Sequence, residues 1–584
     1  MKDCVNLEAN PYPPLQTDIY MLEKLRHRLS TSKALPQLAL LGLIVGLLAG
    51  VTVILFRESI EFFQELYLSS EHDYRAISAQ QRFWIPVLGA LCLGIGFQLL
   101  PRTMRQIGVV HVMERLAYHQ GKLPYQNALV QFFGAIAAMA SGLSLGREGP
   151  GVHLGAANGS LLGQWLRLPN SSLSVLVACG VAGAIGASFN TPLAGVIFAM
   201  EVVLMEYSMA SFAPVILASV TATTLTRLMY GADPAFSVPT MHLGSAWELP
   251  IIIAMALIIA GFAAAFISLM RYFSQSLSNW PIWSRMTLGG LATAILALFI
   301  PEVMGVGYVT VNQTLLGELS LGLLLALALA KVVATTAGLG MGLPGGLIAP
   351  TLVIGAAVGG ATGLIANTLF PGEVSNYGFY AMIGMGTMMA ATLQAPLAAL
   401  LAILELTGNP NILFPGMLAV VVATLLTSEL FGRQSVFLSM MRVRGLDYHH
   451  DPFTQSLRRT GVMSVLDTRF QILPHVCTRE AVENTLVQHP RWVVVSDENQ
   501  PVSMLPGADL AQALSNDIEQ QEFDLIAIPA MREDLAVISS RVTMHHALSL
   551  MKEKQLHALA VVEGKHVLGV VTLTDIEAHY RVPG

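Results

Sequence analysis

The sequence predicts an all-α polytopic membrane domain of two homologous halves with broken helices, followed by a smaller α/β domain. Three observations carry that expectation. The chain is apolar throughout most of its length: 54% of its 584 residues are hydrophobic and 12% are charged. Its mean hydropathy is +0.60, whereas soluble domains carry about 25% charged residues. The apolar part repeats itself. Near Gly445 the composition changes abruptly to a charged, histidine-containing tail.

Apolar stretches recur at 38–56, 83–100, 127–145, 173–203, 250–270, 286–300, 319–337, 347–369, 380–404 and 412–426. Several are long enough to span a bilayer; others are short or interrupted by Gly and Pro. Most of the 51 glycines lie in this part. Interrupted helices of this kind line binding sites in transporters, with half-helix ends pointing at the substrate. Lys24, Arg26, Arg28 and Lys33 precede the first stretch, and Arg433, Arg442, Arg444, Arg458 and Arg459 follow the last. The excess of basic residues at both ends predicts cytoplasmic termini. The first 37 residues are too polar and too long to read as a cleaved signal peptide. A net charge of −6 gives no reason to expect a nucleic-acid partner. Cys4, Cys92, Cys179 and Cys477 are scattered without disulfide or metal-ligand spacing.

The repeat is legible in two pairs of motifs about 200 residues apart. Pro150 and Pro350 are each followed five residues later by Gly-Ala-Ala, at Gly155 and Gly355. Pro192-Leu193-Ala194 precedes Glu201 by nine residues, and Pro396-Leu397-Ala398 precedes Glu405 by the same nine. Small-residue clusters alone arise from helix packing in membranes. The acidic residues at identical offset make chance a poor account.

Between Tyr125 and Tyr230 the only charged residues are Arg147, Glu148, Arg167, Glu201, Glu206 and Arg227. Charge at membrane depth is costly and points to function. Arg147 and Glu148 stand in the run Gly146-Arg147-Glu148-Gly149-Pro150. Proline fits the first turn of a helix, so Glu148 is expected at a helix N-terminus. Free amides and the helix dipole make such a place an anion site. A tethered carboxylate there occupies the site itself and leaves when protonated or displaced by a mobile anion.

In the tail, the runs beginning at Trp492, Leu525, Ala558 and Val567 read as buried strands, with a helix over 543–554 between them. His449, His450, His545 and His546 form two adjacent pairs, read as surface or interface residues. No nucleophile–base pair or metal spacing stands out, so catalytic and metal sites are not expected and the chain is not read as an enzyme.

These motifs resemble the CLC family of anion channels and proton-coupled anion antiporters. The resemblance rests on Gly146 to Pro150, on Phe189-Asn190-Thr191-Pro192-Leu193-Ala194-Gly195 through Glu201, and on Gly345-Gly346-Leu347-Ile348-Ala349-Pro350, where the family usually has Phe at Ile348. The tail resembles a cytoplasmic pair of CBS modules. The resemblance implies two inverted halves, roughly 34–230 and 248–445, within a transmembrane domain 1–445. It implies a CBS pair over 446–584, with modules at roughly 460–515 and 525–584. It also implies a homodimer with one pore per subunit, in the inner membrane of a bacterium.

Residue by residue, the resemblance makes Glu148 the external gate and gives Gly146, Arg147, Gly149 and Pro150 to its motif. Arg147 is expected to be structural, pairing with carbonyls or a nearby acid. The family's anion-binding Gly-Ser-Gly-Ile-Pro has its counterpart in Gln106-Ile107-Gly108-Val109-Val110, where Ile107 replaces the serine. Backbone amides at Gly108 and Val109, with those at Leu347 and Ile348, would then hold the anion. Phe437 stands for the family's tyrosine and lacks its hydroxyl; ordinary packing explains it nearly as well. The preferred anion stays open among chloride, nitrate and bicarbonate. Val202 occupies the position of the internal proton glutamate and cannot relay protons. Glu201 is read as structural with Glu405; Glu114 and Glu206 are the acids left to substitute. In the tail, Thr572 and Asp575 match a ribose-binding signature, with capping alone as the competing account; Pro506 replaces the threonine in the first module. The expected cofactor is an adenine nucleotide or none. The leading expectation is passive anion conduction gated by Glu148 and modulated by the CBS pair. The alternative is anion/proton exchange through a non-standard proton path.

Overall fold

The computed structural model describes residues 35–68, 73–207, 209–236, 241–446, 457, 460–497, 500–516, 521–528, 530–564 and 566–581. The basic residues at 24–33, Cys4, Arg458, Arg459, His449 and His450 lie outside the described residues. Within them the chain divides into two compact units, one formed by 38–165 and 173–448, the other by 166–172 and 449–584 with the start of the chain.

The larger unit is helical. Its first half runs α1 (Leu35–Glu65), α2 (Ala79–Leu99), α3 (Gly108–Tyr118), α4 (Tyr125–Ala140), α5 (Glu148–Trp165), α6 (Asn170–Phe189), α7 (Pro192–Phe198) and α8 (Met209–Tyr230). The second half repeats the order as α9 (Leu249–Ser276), α10 (Ile282–Phe299), α11 (Tyr308–Leu316), α12 (Leu321–Gly340), α13 (Ile348–Leu369), α14 (Tyr377–Leu393), α15 (Pro396–Thr407) and α16 (Leu413–Leu425), and α17 (Val436–Val443) follows. Among the described residues nine helices are long and apolar enough to cross a membrane.

Two of the long apolar stretches are broken, in keeping with the expected broken helices. The 173–203 stretch divides into α6, α7 and a π-helical turn at Ala199–Leu204. The 380–404 stretch divides into α14 and α15. The cause is the same in both halves. Asn190 and Gln394 take left-handed backbone, with φ of 61° and 56°, and Pro192 and Pro396 follow two residues later at the start of the next helix. A proline cannot continue the preceding hydrogen-bond ladder, and it pushes the residue before it out of the helical region.

Equivalent helices pack on one another across the halves: α2 on α10, α7 on α15 and α5 on α13. That is the arrangement of a twofold relation between halves. Within each half, the repeated Gly-Ala-Ala motif has a packing reason. A Cβ on Gly155 would strike the carbonyl of Gly180, and one on Gly355 would strike that of Gly384. The glycines let α5 lie against α6, and α13 against α14, at backbone contact.

The smaller unit holds a six-stranded sheet in the order β1 (Phe470–Pro474), β3 (Trp492–Asp497), β4 (Gln500–Pro506), β6 (Glu533–Ser539), β7 (Ala558–Glu563) and β8 (His566–Thr572). A second ladder pairs β2 (Val476–Thr478) with β5 (Glu522–Asp524). Each half of the large sheet has one parallel pair, β1 with β3 or β6 with β7, then an antiparallel neighbour. Two modules of one topology are thus joined edge to edge at β4 and β6. Strand alternation builds both their cores and their junction: Val493 and Val495 enter the first core, while Val494 packs with Met504, Ala558 and Val570 between modules.

The strand expected from Leu525 does not form. Asp524 ends β5 because its side chain accepts from the Ile526 amide at 2.9 Å and its carbonyl from the Ala527 amide at 3.0 Å. This turn chemistry overrides the apolar run that follows. Strands β1, β4 and β6, which composition did not suggest, complete the sheet, β1 at its edge and β4 and β6 at its centre.

Candidate functional site

The site is assembled by two loops related by the repeat. Gly146 and Gly346 donate to each other's carbonyls at 2.7 and 2.6 Å, in an antiparallel bridge. Gly149 lies so close to this bridge that a Cβ there would sit 2.8 Å from the Gly346 Cα and 2.9 Å from the Gly345 oxygen. The bridge brings together the first residues of α5 and α13, Glu148 and Ile348. Helix N-termini carry unsatisfied amides and a positive dipole end, so their convergence favours an anion.

Glu148 fills that place. It is fully buried, and its carboxylate accepts from the Ala349 amide at 3.4 Å and from the Tyr308 hydroxyl at 3.3 Å. Both bonds are long and weak for a carboxylate. Pro150 lies in the first turn of α5, as the motif predicts. Arg147 donates to the Ser188 carbonyl at 3.1 Å and lies 5.2 Å from the Tyr308 ring centroid. Lys331 on α12 is wholly buried and donates to the carbonyls of Val303 and Gly305, at 3.0 and 2.8 Å. A cavity of about 220 Å³ opens beside Arg147 and Tyr308, lined further by Arg57, Glu61, Arg75 and Glu302.

The other predicted anion ligands surround this centre. Ile107 precedes α3 without capping it. Gly108 has a φ of 80°, which suits glycine alone. Its amide donates to Gln131 Oε1 at 2.7 Å. The expectation that the Gly108 amide is free for an anion is therefore corrected, because Gln131 takes it. Gln131 is buried, and its Nε2 has no hydrogen-bond partner among the described residues. Val109 stands in the first turn of α3, where no preceding carbonyl takes its amide. Leu347 precedes α13 without capping it and is buried with Ile348. Phe437 is buried in the first turn of α17, a helix that packs against α3.

Val202 lies buried in the π-helical turn. Its neighbour Glu201 is committed elsewhere: it accepts from the Leu397 and Ala398 amides at 3.3 and 2.7 Å, capping α15. Glu405 accepts from the Leu193 and Ala194 amides at 3.0 and 2.8 Å, capping α7. Each half thus caps the other's broken helix. Glu114 lies 3.6 Å from Arg444.

Tyr308, Lys331 and Gln131 were missed by sequence reasoning. Tyr308 had a signal: it follows Gly307 in α11, the repeat mate of α3. Gln131 and Lys331 had none beyond being polar in apolar helices.

In the smaller unit, Thr572 and Asp575 form a reciprocal cap at the start of the helix Leu573–Arg581. The Asp575 carboxylate accepts from the Thr572 amide at 3.1 Å, and the Asp575 amide donates to the Thr572 hydroxyl at 3.2 Å. Arg491 joins the modules, 3.4 Å from Asp575 and 2.7 Å from Asp467. Burial would raise the Asp467 carboxyl, but hydrogen bonds from Arg469 and Arg491 outweigh it and hold the group below its ordinary value.

A two-half helical bundle with opposed half-helices around a buried carboxylate defines a membrane anion transport protein. Residues 89–428 match the family described as voltage gated chloride channel, and residues 524–580 match the CBS domain. The chain belongs to the CLC family and carries a C-terminal CBS pair. It is 32% identical to a putative chloride channel protein, ClcB-like, of Ralstonia nicotianae, over 68% of this chain and 95% of that protein. It is 28% identical to the H(+)/Cl(-) exchange transporter ClcA of Vibrio cholerae, over 71% of this chain and 91% of that protein. Its fold matches a slow cyanobacterial Cl−/H+ antiporter with a TM-score of 0.62 at 22% identity, covering 70% of this chain and 98% of that one.

Proposed function

We propose that this chain is a homodimeric anion/proton exchanger of a bacterial inner membrane, with chloride-type anions as cargo and Glu148 as the moving gate. The observation that carries this reading is the seat of the Glu148 carboxylate between the N-termini of α5 and α13. A charged carboxylate and a mobile anion compete for that place. Protonation removes the carboxylate's claim on the amides, so proton binding and anion binding are linked at one site. The Val109, Leu347 and Ile348 amides are the proposed anion donors, with Phe437 as an apolar wall. Relatives named as exchangers or antiporters support coupling.

Passive conduction is the second reading, and Val202 favours it, since no acid stands at that position. Reversal potential in proteoliposomes with a fixed chloride gradient separates the two. A potential that shifts when a pH gradient is added is the result expected for exchange. A potential that stays at the chloride equilibrium value establishes conduction.

The CBS pair is proposed to modulate transport from the cytoplasm by binding one adenine nucleotide near Thr572 and Asp575. Asp575 is already engaged by Thr572 and Arg491, so a ribose would have to displace Arg491. Calorimetry with ATP, ADP and AMP tests this; the absence of heat with all three leaves the tail as a packing module.

A further inference from the structure

Exchange demands a proton carrier between the cytoplasm and Glu148, and Val202 is not one. The structure holds a different pair of titratable groups in the region where one is needed. His111 on α3 and His153 on α5 are both wholly buried, with His111 Nδ1 2.9 Å from His153 Nε2. Their rings stack at 5.2 Å with 25° between planes. Arg115 Nε lies 3.1 Å from His111 Nε2. The π-helical turn that carries Val202 packs against α3, and α3 packs against α5, the helix that begins with Glu148.

The protonation pattern of this chain follows from one fixed donor. Arginine never gives up its proton in a protein and only donates. His111 Nε2 therefore accepts, which places the single proton of neutral His111 on Nδ1. That proton is donated to His153 Nε2, which places the proton of neutral His153 on Nδ1. This last N–H is buried and has no partner among the described residues. A buried donor without an acceptor is costly to a fold.

We propose that His111 and His153 form the proton station of this transporter, receiving protons from the Arg115 side and releasing them towards Glu148. This rests on the exchange reading. A proton arrives at His111 Nε2 and displaces the bond from Arg115, which keeps its own protons. The Nδ1 proton of His111 passes to His153 Nε2, and His153 releases its Nδ1 proton. One proton enters, one leaves, and both rings end in the opposite tautomer, ready for transfer in the reverse direction or for resetting by ring rotation. His153 lies five residues after Glu148, about 7.5 Å along the helix axis. A water-mediated step is proposed to carry the proton over the remaining gap.

The charged and titratable neighbours are few. On α3 they are Glu114, Arg115 and Tyr118, His119 follows its last residue, and α17 packed beside it carries Arg442. Arg444 pairs with Glu114. Glu201 of the π-helical turn is turned to the amides of α15. On α5 the group is Glu148. The helices α4 and α6 packed beside α5 offer Tyr125 and Cys179, and α13 offers none. Among the described residues no carboxylate bonds to either imidazole, so a proton resides on the pair only in passing.

The experiment measures chloride and proton fluxes together in proteoliposomes of the full-length protein, for wild type, His153→Gln and His111→Gln. The expected result is a coupled wild type, with variants that keep chloride flux within about threefold while their proton flux falls at least about tenfold. Restoration of proton flux by Val202→Glu in the His153→Gln background would support relay over a packing role. A coupled wild type with variants coupled equally well overturns the station alone. A wild type that moves no protons overturns the exchange reading and the station with it. Nitrogen-15 solid-state NMR of histidine-labelled wild type tests the same proposal without a substitution: it should show a neutral pair, protonated at Nδ1 of both rings. Protonation of His111 at Nε2 in the resting protein overturns the wire.

Discussion

Gly146 and Gly346, equivalent residues of the two halves, donate to each other's carbonyls at 2.7 and 2.6 Å. This one antiparallel bridge fixes where α5 and α13 begin, and so places Glu148 against the Ala349 amide. Gly149 and Gly346 are both held by it at backbone contact. Gly149→Ala puts a methyl 2.8 Å from the Gly346 Cα, against backbone that has no room to yield. Overpacking of this kind costs about 1–3 kcal/mol. The expected outcome is a folded protein with anion transport reduced at least about tenfold, measured by chloride efflux from vesicles.

Glu148 is held by two long hydrogen bonds, so removing its charge should release the site. Glu148→Ala is expected to pass anions at least as fast as wild type and to lose the pH dependence that arises at the gate. Glu148→Gln should share the loss of pH dependence. A single titrating gate changes its open population up to about tenfold per pH unit, so efflux measured at two pH values resolves the effect. Blocked efflux in a folded Glu148→Ala protein would remove Glu148 from the gate role.

Gln131 occupies the Gly108 amide with its oxygen and leaves its own amide nitrogen unpartnered. Gln131→Leu frees the first and removes the second. Loss of one buried hydrogen-bond arrangement is worth about 1 kcal/mol. The freed Gly108 amide can then donate to the anion, so chloride affinity, read by calorimetry, is expected to strengthen by about fivefold. Unchanged affinity would place Gln131 in the scaffold only.

Glu405 caps α7 as Glu201 caps α15. Glu405→Gln weakens a charge-assisted cap by about 1 kcal/mol. Thermal stability in detergent should fall, while the pH profile of transport stays that of wild type. A changed profile would give the acid a part in proton movement.

The site was legible where local chemistry decides and hidden where distant segments meet. Glycines flanking an acid and followed by Pro150 placed Glu148 at a helix start. The paired Pro-Leu-Ala and acid motifs revealed the repeat. That Glu201 serves α15 and Glu405 serves α7 was hidden, because each contact joins residues of opposite halves. The breaks at Asn190 and Gln394 were masked by the apolar run on either side. Gln131, Lys331 and the partnership of His111 with His153 depend on which helix faces follow one another in space, and a single sequence carries no mark of that. In the tail, strands β1, β4 and β6 lacked the continuous apolar runs that exposed β3, β7 and β8, and Leu525 misled because an Asp524 turn precedes it.

The joint between the two CBS modules turns on Asp467. Its backbone bridges Val570 of the second module, and its carboxylate accepts from Arg469 and from Arg491. These bonds hold the folded carboxyl below its ordinary value, so the folded state favours the ionised form. The stabilisation is therefore fully present above the unfolded value near 3.9 and is lost as the pH falls through the lower folded value. Asp467→Asn removes the charge at every pH. Hydrogen bonds to a charged group are worth about 1.5–3 kcal/mol, so the variant should be less protected than wild type at pH 7. Hydrogen–deuterium exchange over residues 466–474 of the full-length protein, with times scaled for intrinsic rate, should show faster exchange in the variant at neutral pH. The two proteins should converge once the wild-type carboxyl is protonated at strongly acid pH. A difference that persists there would mean that Asp467 stabilises the joint by shape and not by charge.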